Sequence, residues 1–311
     1  MEDFKVKFRG VRGSYPVADK RFLNYGGNTS CVEVNVGGHL IILDAGTGLI
    51  SLGNELLKDY LSSGTDMYNR KPVHATILLS HIHQDHIQGF TFFKPTNFSS
   101  TVINVFGSVN YGESLTDELS KILFNKAFPL DLKDIAAKLE IHNAEETTCI
   151  VLDGDETRIR RIEKEDDLKP KGEEVIISYY KSYAHPQDGV MIYKIAYKDK
   201  SLVYATDKEG YIGGDKKMSK FARDCNLLIH DAQYTTEDYL NPCSPKQGYG
   251  HSTFEMALET KKLANAKNLI MYHFDPSYDD EKLDMISQSY QYGDVCMARE
   301  GLEISLWKSS F

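Results

Sequence analysis

The sequence predicts an α+β fold in which two mixed β-sheets pack together and helices flank them. Short strand-like segments come first along the chain, a helical middle follows, and strand-like segments then return, which is typical of a layered sandwich. Acidic and histidine side chains also recur at the ends of apolar strands, where rigid elements position them and loops leave access. We expect residues 1–311 to form one domain, with a charged loop or hairpin inserted at about 153–174.

The first half of the chain alternates apolar strands with loops rich in glycine. Gly37-Gly38 indicates a hairpin, and alternating or continuous apolar runs around it indicate strands. Apolar positions on one helical face predict helices from about Ser51 to Tyr60 and from Ser114 to Phe128. The strands predicted in this half span residues 4–8, 31–36, 40–43, 75–79 and 102–106.

The second half begins with the stretch of dense mixed charge at 153–174. Such composition is typical of a solvated hairpin or mobile loop, and a lid that carries arginines to a substrate is the alternative. Ser252-Thr253-Phe254-Glu255 has the pattern of a capping box, so we expect Ser252 to begin a helix that continues through Leu263. The strands predicted in this half span residues 175–180, 190–197, 202–206, 227–230 and 269–272.

One short stretch, His81-Ile82-His83-Gln84-Asp85-His86, concentrates metal-binding side chains directly after an apolar strand. Residues i and i+2 of an extended segment point the same way, so His81 and His83 can bind one cation. Asp85 and His86 begin the next turn and face a second cation. Imidazole and carboxylate ligands suit zinc, with manganese and iron as alternatives. The spacing therefore predicts half of a site for two divalent metal ions.

Single residues at later strand ends supply the missing ligands. His185 would complete the first site, Asp207 would bridge the two sites, and His273 would join the second. Asp44 ends the predicted strand 40–43, and a buried carboxylate needs partners because an isolated buried charge is destabilising. We expect Asp44 to support the ligands from behind, with capping of its own glycine turn as the alternative.

Composition limits the partners and the compartment. The net charge of −9 disfavours tight binding of long nucleic acid, although a small anion remains acceptable at a local cationic site. The five cysteines lack C-x-x-C spacing and fit reduced thiols in the cytoplasm. The sequence shows no signal-peptide pattern and no apolar run of 18 residues, so we expect neither export nor a membrane.

Taken together, these motifs resemble the metallo-β-lactamase superfamily. The resemblance rests on the run from His81 to His86, on Asp44-Ala45-Gly46-Thr47-Gly48, and on His185, Asp207 and His273. It covers nearly the whole chain and implies a four-layer αβ/βα sandwich with a binuclear metal centre.

Four further motifs resemble the phosphodiesterase branch of that superfamily. They are Gly10-Val11-Arg12-Gly13-Ser14, Gly26-Gly27-Asn28-Thr29-Ser30-Cys31, His230-Asp231-Ala232-Gln233-Tyr234 and Gly250-His251-Ser252-Thr253. Within the branch, uncharacterised bacterial relatives of cyclic-nucleotide phosphodiesterases match best. The resemblance therefore implies hydrolysis of a small phosphodiester, foremost a cyclic nucleotide or a related nucleotide.

The same resemblance implies catalytic roles for three residues. A histidine of the His-Ser-Thr type, here His251, is held by a carboxylate, here Asp231, and protonates the leaving group. The alternative is that His251 is an ordinary loop residue before a helix. A hydroxide shared by the two cations and oriented by Asp85 would attack phosphorus in line. Candidate substrate-binding residues are Asn28, Arg12, Ser252 and Thr253, with loop anchoring an equal alternative for Arg12.

Other activities stay open. A tRNA 3′-processing endonuclease is the first alternative, weakened by the acidity and by the absence of a recognisable basic arm. A thioesterase or lactonase shares the seven ligands but leaves His251 without a task. A redox di-iron protein and a nucleotide-binding sensor are the non-hydrolytic alternatives, and a homodimer is compatible with the family. Tyrosines in loops beside the motifs could stack on a base; they are Tyr15, Tyr211, Tyr234 and Tyr249.

Overall fold

Two β-sheets that face each other form the centre of the molecule. The computed structural model describes residues 4–108, 113–124, 126, 128–211, 213–290 and 292–308. One sheet contains β1 (Phe4–Gly10), β2 (Cys31–Val36), β3 (His39–Leu43), β4 (His74–Leu78), β5 (Val102–Gly107), β6 (Lys138–Asn143) and β15 (Glu303–Ser305). Its strand order is β15-β1-β2-β3-β4-β5-β6.

The second sheet has eight strands. It contains β7 (Thr148–Asp153), β8 (Glu156–Arg161), β9 (Val175–Ser182), β10 (Val190–Tyr197), β11 (Lys200–Ala205), β12 (Leu227–Asp231), β13 (Asn268–Tyr272) and β14 (Val295–Met297). Its order is β14-β13-β12-β11-β10-β9-β7-β8. The charged stretch at 153–174 thus contains the turn after β7 and the whole of β8, which is the edge strand of this sheet.

Helices cover the outer faces of the sheets. The described helices are α1 (Gly48–Ser62), α2 (Gln84–Ile87), α3 (Leu115–Leu123), α4 (Lys216–Phe221), α5 (Thr236–Tyr239), α6 (Phe254–Ala264) and α7 (Asp280–Gln288). Leu49 and Leu52 of α1 and Leu119 of α3 pack on the outer side of the first sheet, against residues such as Ile77. Helix α6 contacts β12 and β13 of the second sheet. The predicted sandwich of two mixed sheets flanked by helices is therefore confirmed.

Side-chain alternation along the strands separates the inner core from the outer faces. In β2, Val32, Val34 and Val36 join the core shared by the two sheets. Glu33 lies between them in sequence and faces the other side, where its carboxylate accepts a hydrogen bond from Arg9 Nε at 2.7 Å. Successive residues of a strand point to opposite faces, so the alternating pattern in the sequence predicted this strand correctly.

Three predicted helix boundaries were wrong. Helix α1 begins at Gly48 rather than at Ser51, because a Cβ on Gly48 would lie 2.5 Å from the backbone of Arg9 and glycine alone fits this contact. Helix α3 ends at Leu123, where the backbone of Phe124 leaves helical geometry. Residues 125 and 127 of the predicted helix lie outside the described part of the chain. Helix α6 is capped by Thr253 instead of Ser252.

Parallel strands of both sheets deliver functional side chains to one edge of the sandwich. Strands β3 to β6 are parallel in the first sheet, as are β11 to β14 in the second. The carboxyl ends of such strands are where loops collect ligands and catalytic groups. Here these ends carry Asp44, His81, Asp207, Asp231 and His273.

Among the helices that the structure describes, none combines the length and the apolar character needed to cross a bilayer.

Candidate active site

Four donor atoms from different elements enclose a small space at this edge. They are Asp85 Oδ2, His86 Nε2, Asp207 Oδ1 and His273 Nε2, and their measured separations are 3.1–3.3 Å. Carboxylates accept but do not donate, so these four atoms share at most the two N–H protons of the imidazoles, and the group is rich in lone pairs. Zinc ligands in a tetrahedron at about 2.0 Å lie about 3.3 Å apart. The spacing of the four donors therefore fits a cation among them.

His81, His83 and His185 form a second group of donors, with ligand atoms within 4.8 Å of one another. His185 Nε2 lies 3.1 Å from His83 Nδ1, and the buried His81 Nε2 has no hydrogen-bond partner. Burial lowers the pKa of all three imidazoles and favours the neutral form that binds metals. Asp207 Oδ2 lies 3.7 Å from His81 Nε2, so Asp207 stands between the two groups.

The structure thus brings together all seven ligands that the sequence suggested. Five of the donors are histidine nitrogens and two are aspartate oxygens, a set that suits divalent metal ions. Burial opposes a charge on His86, yet the carboxylates of Asp207, Asp85 and Asp44 raise the pKa of His86 well above its usual value. This surplus of buried negative charge is what a divalent cation would neutralise.

Strained backbone conformations hold several of these side chains. Asp44, Asp207 and His273 have φ values of 61°, 50° and 68°, in the left-handed region that residues other than glycine seldom adopt. Such conformations persist only where the surrounding structure enforces them, and they cluster at functional sites. Each of the three residues comes one or two positions after a central parallel strand, and the fixed position of that strand maintains the unusual backbone conformation.

Asp44 fixes the orientation of His86. Its carboxylate accepts hydrogen bonds from His86 Nδ1 at 2.8 Å, from Tyr204 Oη at 2.8 Å, and from the backbone N and Oγ of Ser80 at 2.6 and 2.8 Å. A proton on Nδ1 leaves the Nε2 lone pair of His86 facing the other donors. These contacts indicate that Asp44 orients a candidate metal ligand, and they argue against the alternative that it caps the glycine turn that follows it.

Glycines allow two loops to approach the donors closely. A Cβ on Gly46 would lie 2.3 Å from the backbone oxygen of Asp85, and a Cβ on Gly13 would lie 2.5 Å from His273 Cε1. Beside Gly13, the backbone N of Ser14 donates a hydrogen bond to Asp85 Oδ2 at 2.7 Å. The Gly-Val-Arg-Gly-Ser motif therefore helps to position two of the candidate ligands.

We expect the Gly13→Ala substitution to weaken metal binding about 10- to 100-fold, the usual effect of disturbing groups that orient metal ligands. The reason is that the added methyl group displaces the His273 imidazole. Titration with a competing chelator measures the change in affinity. The matched control is Gly293→Ala, since a Cβ at Gly293 meets no atom within 4 Å. Equal metal affinities in both variants would contradict the assigned contact.

His251 and Asp231 form a pair beside the donors. Asp231 is fully buried, and its Oδ2 accepts a hydrogen bond from His251 Nδ1 at 2.9 Å. The His251 ring also stacks on His273 with ring centroids 5.1 Å apart. Burial alone would lower the pKa of His251, but the carboxylates of Asp231, Asp207 and Asp85 outweigh it and raise this pKa. Protonation of His251 is therefore favoured next to the candidate metal centre.

Asp231 also organises the surrounding backbone. It accepts hydrogen bonds from the backbone N atoms of Ser252 at 2.8 Å, Asp207 at 3.1 Å and Gln233 at 3.2 Å. One buried carboxylate thus joins the ends of β11 and β12 to the loop that carries His251. Such extensive bonding to a carboxylate holds it in one orientation.

Glu209, which anchors the loop before His251, is a residue that sequence reasoning missed. Its carboxylate accepts hydrogen bonds from Tyr239 Oη at 2.5 Å, from the backbone N of Gly248 at 2.8 Å and from the backbone N of Gly250 at 3.1 Å. The carbonyl of Gly250 in turn lies 3.2 Å from His185 Nδ1. The only hint in the sequence is that Glu209 follows Asp207 by two residues. A single glutamate after a strand is too common to predict a role in the site.

Burial contradicts the substrate-binding role predicted for Arg12, and the side chain of Asn28 contacts another part of the chain. Arg12 is fully buried and donates hydrogen bonds to the carbonyl oxygens of Gly26 at 2.7 Å and Tyr278 at 2.6 Å. Burial lowers the pKa of its guanidinium to about 10. Asn28 Nδ2 donates to Glu300 Oε2 at 2.9 Å. Both side chains therefore anchor loops, which was the alternative for Arg12.

Ser252 and Thr253 are also structural rather than substrate-binding. Ser252 is fully buried and its Oγ donates to the backbone oxygen of Lys208 at 2.5 Å. Thr253 Oγ1 accepts a hydrogen bond from the backbone N of Met256 at 3.3 Å and so caps α6. Of the loop tyrosines, Tyr234 is buried, with its ring centroid 6.0 Å from that of His251.

Comparisons with known proteins agree with this geometry. The model of the Beta-lactamase superfamily domain matches residues 39–274. Ribonuclease Z of Picrophilus torridus is 27% identical over 329 aligned residues, which cover 99% of this chain and 97% of that relative. The sequence match thus extends over nearly the whole length of both proteins.

Two solved structures share the fold. The metallo-beta-lactamase fold protein YhfI from Bacillus subtilis is 16% identical, with a TM-score of 0.63 over 98% of this chain and 100% of that chain. The short form of human tRNase Z is 18% identical, with a TM-score of 0.56 over 97% of this chain and 99% of that chain. From its family match, its fold and its cluster of buried donors, this chain belongs to the metallo-β-lactamase superfamily and is a metal-dependent hydrolase of ester bonds.

Proposed function

We propose that this chain is a phosphodiesterase that cleaves RNA, the reaction class named for its ribonuclease Z relatives. The observation that carries the proposal is the hydrogen bond of 2.9 Å between His251 Nδ1 and Asp231 Oδ2 beside the donor cluster. An alkoxide leaving group needs a proton, and a histidine held in this way can supply it. The thiolate of a thioester departs more readily without such an acid, which supports phosphodiester over thioester cleavage.

The residues of the chain have distinct tasks in this proposal. Two divalent cations, of which zinc suits the donors best, would stabilise charge on the phosphate and lower the pKa of water when bound by the seven ligands. Asp85, held by Ser14, orients the attacking oxygen. Asp231 engages Nδ1 of His251, so Nε2 is the nitrogen that presents a proton to the leaving oxygen. Closely packed side chains keep these groups in place before the substrate binds.

The choice of RNA over a small nucleotide rests on the relatives. The similarity to ribonuclease Z of Picrophilus torridus extends over 99% of this chain, and it supports RNA better than it supports the cyclic nucleotide expected from the sequence. A small phosphodiester remains the second candidate, because the net charge of −9 opposes long-range attraction of a polyanion.

A panel of substrates tests the proposal directly. Precursor tRNA, 2′,3′- and 3′,5′-cyclic nucleotides, bis(p-nitrophenyl) phosphate and a thioester are each incubated with the purified protein. We expect cleavage of precursor tRNA near the 3′ end of the mature tRNA, together with slow hydrolysis of bis(p-nitrophenyl) phosphate. Hydrolysis of cyclic nucleotides without cleavage of RNA would select the second candidate. Hydrolysis of the thioester alone would contradict phosphodiesterase activity altogether.

A further inference from the structure

Exposed tyrosines are concentrated around the candidate active site. Within the described part of the chain, six tyrosines are strongly exposed: Tyr15, Tyr68, Tyr183, Tyr211, Tyr249 and Tyr292. Large aromatic rings tend to be buried in proteins, so an exposed ring with an apolar face is a candidate for binding. Four of the six adjoin the site, and we call Tyr15, Tyr183, Tyr211 and Tyr249 the tyrosine rim.

Two members of the rim are close in sequence to histidines of the candidate site. Tyr183 precedes His185 by two residues, and Tyr249 precedes His251 by two residues. Consecutive Cα atoms are about 3.8 Å apart, so each of these tyrosines has its Cα within about 8 Å of that of its histidine. Their exposed fractions are 76% for Tyr183 and 53% for Tyr249, so much of each side chain contacts solvent.

The other two members lie on loops that also carry site contacts. Tyr15 follows Ser14, whose backbone N donates to Asp85 Oδ2 at 2.7 Å. Tyr211 lies four residues after Asp207, and its ring centroid is 5.0 Å from Lys208 Nζ. Lys208 is itself held by Asp215 at 2.9 Å, so the segment that carries Tyr211 is fixed by a buried ion pair.

The two remaining exposed tyrosines lie at the opposite edge of the sandwich. Tyr68 precedes β4 and Tyr292 precedes β14, whereas the site lies beyond the carboxyl ends of the parallel strands. Tyr68 and Tyr292 therefore provide natural controls for the rim.

Lysines contact the rings of three rim tyrosines, and of these lysines Lys208 is buried and paired with Asp215, whereas Lys181 and Lys246 are partly exposed. Lys181 Nζ lies 5.9 Å from the ring centroid of Tyr183, and Lys246 Nζ lies 5.5 Å from that of Tyr249, in addition to the pair of Lys208 and Tyr211. Proteins that bind single-stranded nucleic acid combine stacking on aromatic rings with a few cationic contacts to the backbone. In a base-paired helix the faces of the bases are not accessible in this way.

We infer that the tyrosine rim stacks on unpaired bases on both sides of the scissile phosphodiester, which makes a single-stranded RNA segment the substrate class of this site. The inference rests on the proposed phosphodiesterase function. It also explains how a chain with a net charge of −9 can bind RNA, because stacking replaces much of the phosphate neutralisation on which basic RNA-binding proteins depend.

Equilibrium binding of a fluorescently labelled single-stranded RNA hexamer tests the inference by anisotropy, with the protein as purified and after removal of metal by chelation. Tyr183→Ala and Tyr249→Ala should each weaken binding about tenfold, since stacking on one aromatic ring is worth about that much or more. Tyr183→Phe and Tyr249→Phe should bind within about twofold of wild type, because phenylalanine keeps the stacking face. The controls Tyr68→Ala and Tyr292→Ala should bind like wild type.

A hexamer with abasic sites separates stacking from other effects of the substitutions. Wild-type protein should bind a fully abasic hexamer more weakly than Tyr249→Ala binds the intact one, because all stacking is then lost, and Tyr249→Ala should bind the abasic hexamer as wild type does. Wild-type affinity should also fall only shallowly with salt. Tyr183→Ala and Tyr249→Ala variants that bind the intact hexamer like wild type would overturn the inference, as would equally tight binding of duplex RNA.

The binding assay and the substrate panel can fail separately. If the rim substitutions weaken hexamer binding while precursor tRNA is not cleaved, the tyrosine rim stands and the proposed function fails. If precursor tRNA is cleaved while the rim substitutions leave binding unchanged, the proposed function stands and the tyrosine rim fails.

Discussion

Replacing Asp207 with asparagine is expected to remove bound metal and hydrolytic activity together. Asp207 lies between the two groups of donors, with Oδ1 at 3.1 Å from His86 Nε2 and Oδ2 at 3.7 Å from His81 Nε2. Asparagine keeps the volume of the side chain and tolerates the positive φ of this position better than alanine does. It removes the negative charge that would attract both cations.

The expected loss of turnover is about 1,000-fold or more. Lewis-acid stabilisation by metal ions contributes several kcal/mol to the transition state, and each 1.36 kcal/mol corresponds to a factor of ten. Metal content by inductively coupled plasma mass spectrometry and turnover of bis(p-nitrophenyl) phosphate are measured on the same sample. Asp199→Asn is the control, because Asp199 is a largely exposed carboxylate that precedes β11, at the end of this strand opposite to Asp207. A fully metallated and active Asp207→Asn protein would refute the bridging position of Asp207.

The His251→Ala substitution is expected to lower turnover of RNA about 100- to 10,000-fold while the metal content stays unchanged. General-acid catalysis contributes rate factors of this size. His251 is close to Asp207, Asp231 and His273, but it belongs to neither of the two donor groups that contain the seven candidate ligands, and its Nδ1 is engaged by Asp231 at 2.9 Å. The Asp231→Asn substitution should also lower turnover, because it weakens the 2.9 Å hydrogen bond between Asp231 and His251 Nδ1 that orients the imidazole.

The leaving group distinguishes an acid from a residue that only stabilises the fold. p-Nitrophenolate departs without protonation, so His251→Ala should hydrolyse bis(p-nitrophenyl) phosphate with a much smaller defect than it shows on RNA. Circular dichroism of both variants checks that they remain folded. Equal defects on the two substrates would dismiss His251 as the general acid.

The seven candidate ligands could be predicted from the sequence because each follows a strongly apolar strand. The spacing from His81 to His86 is compact enough to indicate a metal site by itself, and central strands such as β12 are recognisable from continuous apolar runs. The positions of the other ligands at strand ends then suggested that the folded chain would bring them together.

Elements whose structure depends on distant partners could not be predicted. Strand β6 is only partly buried and reads as polar, so its pairing with β5 comes from the neighbouring sheet rather than from its own sequence. Strands β14 and β15 have three residues each, too few for a periodic pattern. Arg12 was misassigned for a similar reason, since a loop arginine reveals neither its burial nor its carbonyl partners.

The most direct test is the metal stoichiometry of the purified wild-type chain, measured before and after dialysis against a strong chelator and again after zinc or manganese is restored. The two groups that contain the seven candidate ligands are each suited to a divalent cation, so we expect about two ions per chain, loss of hydrolysis on their removal and recovery on their return. A chain that binds no divalent ion under any of these conditions, or that hydrolyses its substrate equally well without one, would contradict the proposed centre.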